Sequence, residues 1–187
     1  ASQFSQIKTQ SINFLNLFND SSQRVGLVDF ARRGILIQGL TYDFFQVAVG
    51  INSMTQLGGG TNMGEGILKS NEEFNLNGRG VSEYMIVMSD GLPNVMTYPN
   101  GTLFDCSGNQ NPSSPCVIDT LDKAQEAKDN GVVVFTIGSN IDPDTYPEQF
   151  MKDVASDPSK YFDSPNFANL EEIYNQIGTE ICKDQAD

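Results

Sequence analysis

Two stretches of this chain, SEYMIVMSD at 82–90 and GVVVFTIGS at 131–139, are almost unbroken apolar runs. A strand with one wet face alternates apolar and polar residues, whereas a strand covered on both faces need not. Around these runs the apolar residues fall at helical spacing. Phe4, Ile7, Phe14, Leu15 and Phe18 share a face over residues 2–18, and Phe44, Val47, Ala48 and Ile51 over 42–54. Leu170, Ile173, Tyr174, Ile177 and Ile181 do the same near the end. Further helices are predicted from Met63 to Phe74, over 117–129 and over 147–155, with a short strand at KYFDS (160–164) and a long loop over 92–116. RVGLVDFA (24–31) and ILIQGL (35–40), joined through Arg33-Gly34, read as an antiparallel pair. The pattern predicts an α/β fold: a doubly wound, mostly parallel sheet with helices on both faces. No repeat or linker divides residues 1–187, which read as a single domain. Ligands of such sheets bind outside the carboxyl ends of the strands, where Ser89-Asp90-Gly91 stands.

Composition removes several kinds of chemistry. The chain has no histidine, so Ser-His-Asp and Cys-His arrangements are impossible and the commonest transition-metal ligand is missing. A net charge of −13 repels nucleic acid and anionic membrane alike. No apolar run approaches the roughly 20 residues that span a bilayer. Cys106 and Cys116 bracket the polar stretch CSGNQNPSSPC, which suits a disulfide-tied loop. Asn19-Asp20-Ser21 and Asn100-Gly101-Thr102 are glycosylation triplets in polar segments. Together these features favour a secreted or extracellular setting.

Residues 58–66 read GGGTNMGEG. A phosphate loop places its glycines between strand and helix and ends in Lys-Ser or Lys-Thr. Here the glycines follow a helix and no lysine is in place, so the nicotinamide fingerprint fails as well. Thr61 is either a cap for the next helix or a hydroxyl ligand, and the two roles are compatible. Asp90 is either a turn residue or a carboxylate ligand at the end of the most buried strand. Glu65 reads as a first-turn residue favoured by the helix dipole.

At these residues the chain resembles the von Willebrand factor A domain family, over nearly its whole length. RVGLVDFA with its hairpin is similar to the family's second and third strands. GGGTNMGEGI is similar to its Gly-Gly-x-Thr segment, YMIVMSDGLPN to its strand ending in Ser-Asp-Gly, and GVVVFTIG to its fifth strand. The resemblance implies a metal-ion-dependent adhesion site, with Thr61 and Asp90 as two of its ligands. It also implies a divalent cation, Mg2+ before Ca2+ or Mn2+, whose shell an acidic side chain of a protein partner completes. A hard cation of this kind wants about six oxygen ligands. On this reading the glycines beside Thr61 give the ion clearance.

The family's Asp-x-Ser-x-Ser motif is absent upstream of Thr61, and so is the central first strand that carries it. A sheet without its middle strand leaves two rows of backbone groups unpaired, at roughly 1–3 kcal/mol each. The resemblance therefore implies such a strand within about ten residues before Ala1, or on another polypeptide. It also implies that Cys182 pairs with a cysteine N-terminal to Ala1. The expected function is an extracellular protein-binding module of the adhesion or matrix kind, without enzymatic activity. The alternative is a structural matrix or filament component whose metal site is incomplete or idle.

Overall fold

The computed structural model describes residues 3–18, 23–55, 58–108, 111–167 and 169–184. In chain order the elements are α1 (Gln3–Leu15), β1 (Val25–Phe30), β2 (Gly34–Thr41), α2 (Phe44–Ser53), α3 (Met63–Asn77) and β3 (Glu83–Ser89). They continue with β4 (Val95–Thr97), β5 (Leu103–Asp105), α4 (Pro115–Asp129), β6 (Val132–Gly138), α5 (Tyr146–Val154), β7 (Tyr161–Asp163) and α6 (Leu170–Asp184). The predicted α/β architecture is present, with a parallel sheet in the order β3-β6-β7.

The two apolar runs pair with each other in this sheet, aligned from Glu83 opposite Val132 to Ser89 opposite Gly138. Side chains alternate across a strand, so each apolar run feeds two layers. Met85 and Val87 pack with Ile67 of α3, Val117 and Ala124 of α4, and Phe150 and Met151 of α5. Tyr84, Ile86 and Met88 face the opposite way, toward Leu170, Ile173 and Ile177 of α6 and Ile7 and Phe14 of α1. Both faces are covered, which explains why neither run alternates in sequence.

The expected antiparallel pair is also present, with Val28 opposite Leu36 and Phe30 opposite Gly34. Among the described residues it stands as its own two-stranded sheet, and β1 forms no ladder with β3. What holds it is α3. Glu65 and Glu73 are both buried. Glu65 accepts from the Gly34 N–H at 2.9 Å, and Glu73 from the Leu40 N–H at 2.8 Å. The two carboxylates thus satisfy backbone donors of β2 that would otherwise be buried unpaired. Gly34 allows the contact, since a Cβ there would lie 2.6 Å from the Glu65 carbonyl carbon. Asp29, on β1, is half-buried rather than solvated, and burial pushes its carboxyl above the usual range.

Residues 92–116, expected as a loop, contain a short hairpin in which β4 pairs with β5, Val95 opposite Asp105. Strands of three residues with a polar turn carry too little periodicity to be read from sequence. Cys106 and Cys116 form the expected disulfide, with Cα atoms 6.2 Å apart, and so staple the end of β5 to the start of α4. Closing a loop of this length removes unfolded-state entropy equivalent to about 2–3 kcal/mol. Reduction is expected to lower the denaturation midpoint accordingly, measured by urea unfolding with and without dithiothreitol.

Tyr161 supplies a pH-dependent feature. Its hydroxyl is sealed from solvent without a hydrogen-bond partner among the described residues. Desolvation, reinforced by Asp163 and Glu148, pushes its pKa up to about 12 from the ordinary 10.0. The folded state therefore holds the proton more tightly than the unfolded chain. That contribution is complete below pH 10 and is lost as pH rises toward 12. Tyr161→Phe is expected to move the alkaline unfolding midpoint upward and to leave neutral-pH stability nearly unchanged, read by circular dichroism.

Candidate functional site

The carboxyl ends of β1 and β3 meet at one rim. Just past β1, the Ala31 carbonyl accepts from the Asn62 N–H at 2.7 Å, and Arg32 donates to the Gly59 carbonyl at 2.8 Å. Just past β3, Asn94 holds Thr61 from both sides. The Thr61 N–H donates to the Asn94 side-chain oxygen at 2.7 Å, and the Thr61 carbonyl accepts from the Asn94 N–H at 3.0 Å. The Asn94 carbonyl in turn accepts from the N–H of Cys106 at 2.7 Å, so the stapled hairpin braces the strap. β6 joins the same rim through the Ser139 N–H, which donates to the Ser89 carbonyl at 2.9 Å.

Asp90 is exposed immediately beyond β3, and Thr61 is partly exposed. Neither the Asp90 carboxylate nor the Thr61 hydroxyl makes a hydrogen bond or ion pair among the described residues. The helix cap expected of Thr61 belongs to its neighbour. Asn62 accepts the Glu65 N–H at 3.1 Å and caps α3, while its amide donates to the Arg32 carbonyl and the Thr97 hydroxyl. Asparagine ranks above threonine as an N-cap. Glu65 is fully occupied by Gly34 and Asn62, with Arg33 at 3.5 Å, in keeping with a structural role.

Gly60 has a packing role of its own. Gly60 has φ 153°, and a Cβ on it would lie 2.6 Å from a Val95 methyl. The position makes room for β4, so the clearance is for the protein's own hairpin. On the same hairpin Asp105 is held below the usual carboxylate range, first by the Ser107 hydroxyl and N–H and then by Arg32. Asn100 is exposed in the β4–β5 turn, whereas Asn19 lies outside the described residues. Cys182 is exposed and unbridged.

The profile of the von Willebrand factor type A domain matches residues 1–176. The chain belongs to that family. Its fold is similar to the vWF domain of the type V pili tip protein Mfa5 from Porphyromonas gingivalis. The TM-score is 0.81 at 16% identity, covering 97% of this chain and 88% of that one. It is also similar to the pilus adhesin SpaC from Lactobacillus rhamnosus GG, with TM-score 0.78, 22% identity and 98% of this chain covered. Proximal thread matrix protein 1 from the mussel byssus gives TM-score 0.70 at 20% identity, over 96% of this chain. This chain spans nearly all of the Mfa5 domain, but 28% of SpaC and 41% of the mussel protein. One structure of the mussel protein has a zinc-occupied MIDAS motif.

Within this VWA fold, the Thr61 hydroxyl and the Asp90 carboxylate stand on adjoining loops of one rim. Among the described residues no three Asp, Glu, Cys or His side chains cluster in a way that could hold a metal alone. A hydroxyl and a carboxylate are oxygen donors of the kind a hard cation takes, among about six in its shell.

Proposed function

We propose that this VWA domain is a non-catalytic, extracellular protein-binding module of the adhesion or matrix kind, in which Thr61 and Asp90 hold part of a divalent cation's shell. The observation that carries this reading is the strap between Thr61 and Asn94, which joins the two loops while leaving the Thr61 hydroxyl and the Asp90 carboxylate free. Such a cation, Mg2+ before Ca2+ or Mn2+, supplies a Lewis-acidic position that an acidic side chain of the partner completes. Asn94, Asn62 and Gly60 hold the loops, and Asp90 contributes the charge. The stapled β4–β5 hairpin beside Thr61 is the element that varies the surface presented to the partner. The adhesin and matrix neighbours support this class of function, and the disulfide supports an oxidising compartment.

The test presents a set of peptides, each with one central Asp or Glu, to the immobilised domain with Mg2+, then after EDTA. Binding of at least one is expected, and EDTA and Asp90→Ala are each expected to weaken it by about tenfold or more, near 1.4 kcal/mol. Binding that survives both treatments unchanged contradicts the cation-dependent reading.

The second reading, a structural matrix or filament component with an idle metal site, has its own supporting observation. Phe45 and Val49 of α2 are 72% and 47% exposed, an apolar strip remote from the rim chemistry. On that reading Phe45→Ala weakens assembly, and Asp90→Ala leaves it unchanged, as measured by light scattering.

A further inference from the structure

The end of the fold opposite the rim carries a surface of its own. β1 and β3 finish beside Asn62 and Thr61, so the residues just before each strand lie at the far end. Arg24 precedes β1, Arg79 and Val81 precede β3, and Tyr42 follows β2, which runs antiparallel to β1. Six or seven residues of strand, at about 3.3 Å each, put this pole roughly 20 Å from the rim. The guanidiniums of Arg24 and Arg79 both lie over the ring of Tyr42, 5.9 and 5.6 Å from its centroid. Arg79 also donates to the Tyr42 hydroxyl at 2.8 Å, and Arg24 to the Asn77 carbonyl at 2.7 Å. Beside them Leu76 is 80% exposed, Val81 59% and Tyr42 51%. Arg24 feels the charge of Glu83 but makes no ion pair among the described residues. The acid next to Tyr42, Asp43, is committed to the N–H groups of Phe45 and Gln46.

We propose that this pole is a docking surface, separate from the rim, for a protein segment that presents carboxylates next to aliphatic or aromatic side chains. The two cations specify the acids. The chain has a net charge of −13 and four arginines, and two of the four meet at one ring here. Charges more than about 8 Å apart are largely screened at physiological salt, so at contact the local charge decides. A guanidinium offers a carboxylate a planar fork of donors. The Tyr42 ring and the Asn77 carbonyl hold these two forks in place beforehand, which lowers the ordering cost of binding. The apolar side chains specify the rest of the occupant. A sulfated sugar chain would satisfy the arginines and leave Leu76 and Val81 in water, whereas a protein segment buries them. A second copy of the chain brings its own charge of −13 and is repelled as a whole body. Tyrosine and arginine are also the side chains that most often dominate binding energy between proteins. Because pole and rim stand at opposite ends, a domain whose rim also binds can hold two proteins at once.

The test uses the full 187-residue chain in EDTA, so that the rim takes no part and failure here leaves the proposed function standing. The probe is fluorescein-labelled Asp-Leu-Glu-Asp-Phe-Leu-Glu-Asp-Ile-amide, followed by fluorescence anisotropy. One control carries Asn and Gln in place of the acids, and another carries Ser in place of Leu, Phe and Ile. The probe is expected to bind with a Kd of about 100 μM or tighter, and each control at least about tenfold more weakly. Arg79→Gln and Leu76→Ser are each expected to weaken the probe by about tenfold. Both side chains are exposed, so circular dichroism should stay unchanged. Absence of binding overturns the proposal. So does equal binding of the uncharged control, which would mark a merely apolar patch. Binding that neither substitution weakens lies elsewhere on the molecule and overturns it as well. A heparin fragment that binds as tightly, and loses that binding in Arg79→Gln, would place a sulfated glycan on the pole. Dimerisation in the ultracentrifuge that Leu76→Ser abolishes would place a second copy there, and either result overturns it too.

Discussion

Gly34→Ala is expected to detach the β1–β2 hairpin from α3 and to cost about 3 kcal/mol, at the upper end of what overpacking does. The new Cβ would stand 2.6 Å from the Glu65 carbonyl carbon, 2.7 Å from its oxygen and 2.8 Å from the Gly66 nitrogen. All three are helix backbone atoms, which cannot swing aside as a side-chain tip can. The hairpin must move instead, and it then loses the hydrogen bond from the Gly34 N–H to Glu65. In a continuous sheet the neighbouring strand would resist that displacement, but among the described residues β1 pairs only with β2. Chemical denaturation should show the loss of stability. Amide exchange should show it concentrated at 25–41, and unchanged exchange there would mean that something other than α3 holds the hairpin.

Phe135→Ala is expected to cost about 3–5 kcal/mol, enough to unfold a domain of ordinary stability. Phe135 is fully buried on β6 and lies between the rings of Tyr84 and Phe162, at 6.5 and 6.4 Å. Its removal leaves a cavity beneath α6 that helix packing cannot close without breaking the Leu170–Ile181 face. The contrast is Phe45→Ala on α2. With 72% of that residue exposed, its loss should change stability by no more than about 0.5 kcal/mol. The pair is read in one denaturation series, and equal costs would refute the layered core described above.

Much of the fold was legible because burial on two faces leaves a plain mark in the sequence. SEYMIVMSD and GVVVFTIGS became β3 and β6 within a residue or two, and the Leu170–Ile181 stripe became α6. The hairpin β4–β5 was not legible, since its order comes from the disulfide and from Asn94 rather than from any periodic pattern. At the rim, Thr61 and Asp90 are expected ligands by type and position, and the fold joins the Thr61 loop to the loop after β3 through Asn94. The cap at Asn62 was legible, since Asn stands just before α3 with Glu65 three residues on. That Gly60 serves Val95 was not, because the contact joins segments more than 30 residues apart. The tether through Glu65 and Glu73 could not be read, because two glutamates on a helix resemble any solvated face until β2 is laid against them.

The central claim is that the rim of this VWA domain holds a cation at Thr61 and Asp90. Substoichiometric Mn2+ added to the isotopically labelled domain tests it directly, through paramagnetic broadening of amide signals. The account predicts that the earliest losses fall on 60–62 and 90–91, and that Asp90→Ala removes them while the rest of the spectrum is unchanged. Broadening that instead begins on the acidic face of α6 around Glu171, Glu172 and Glu180, or spreads evenly over a surface of net charge −13, would contradict it.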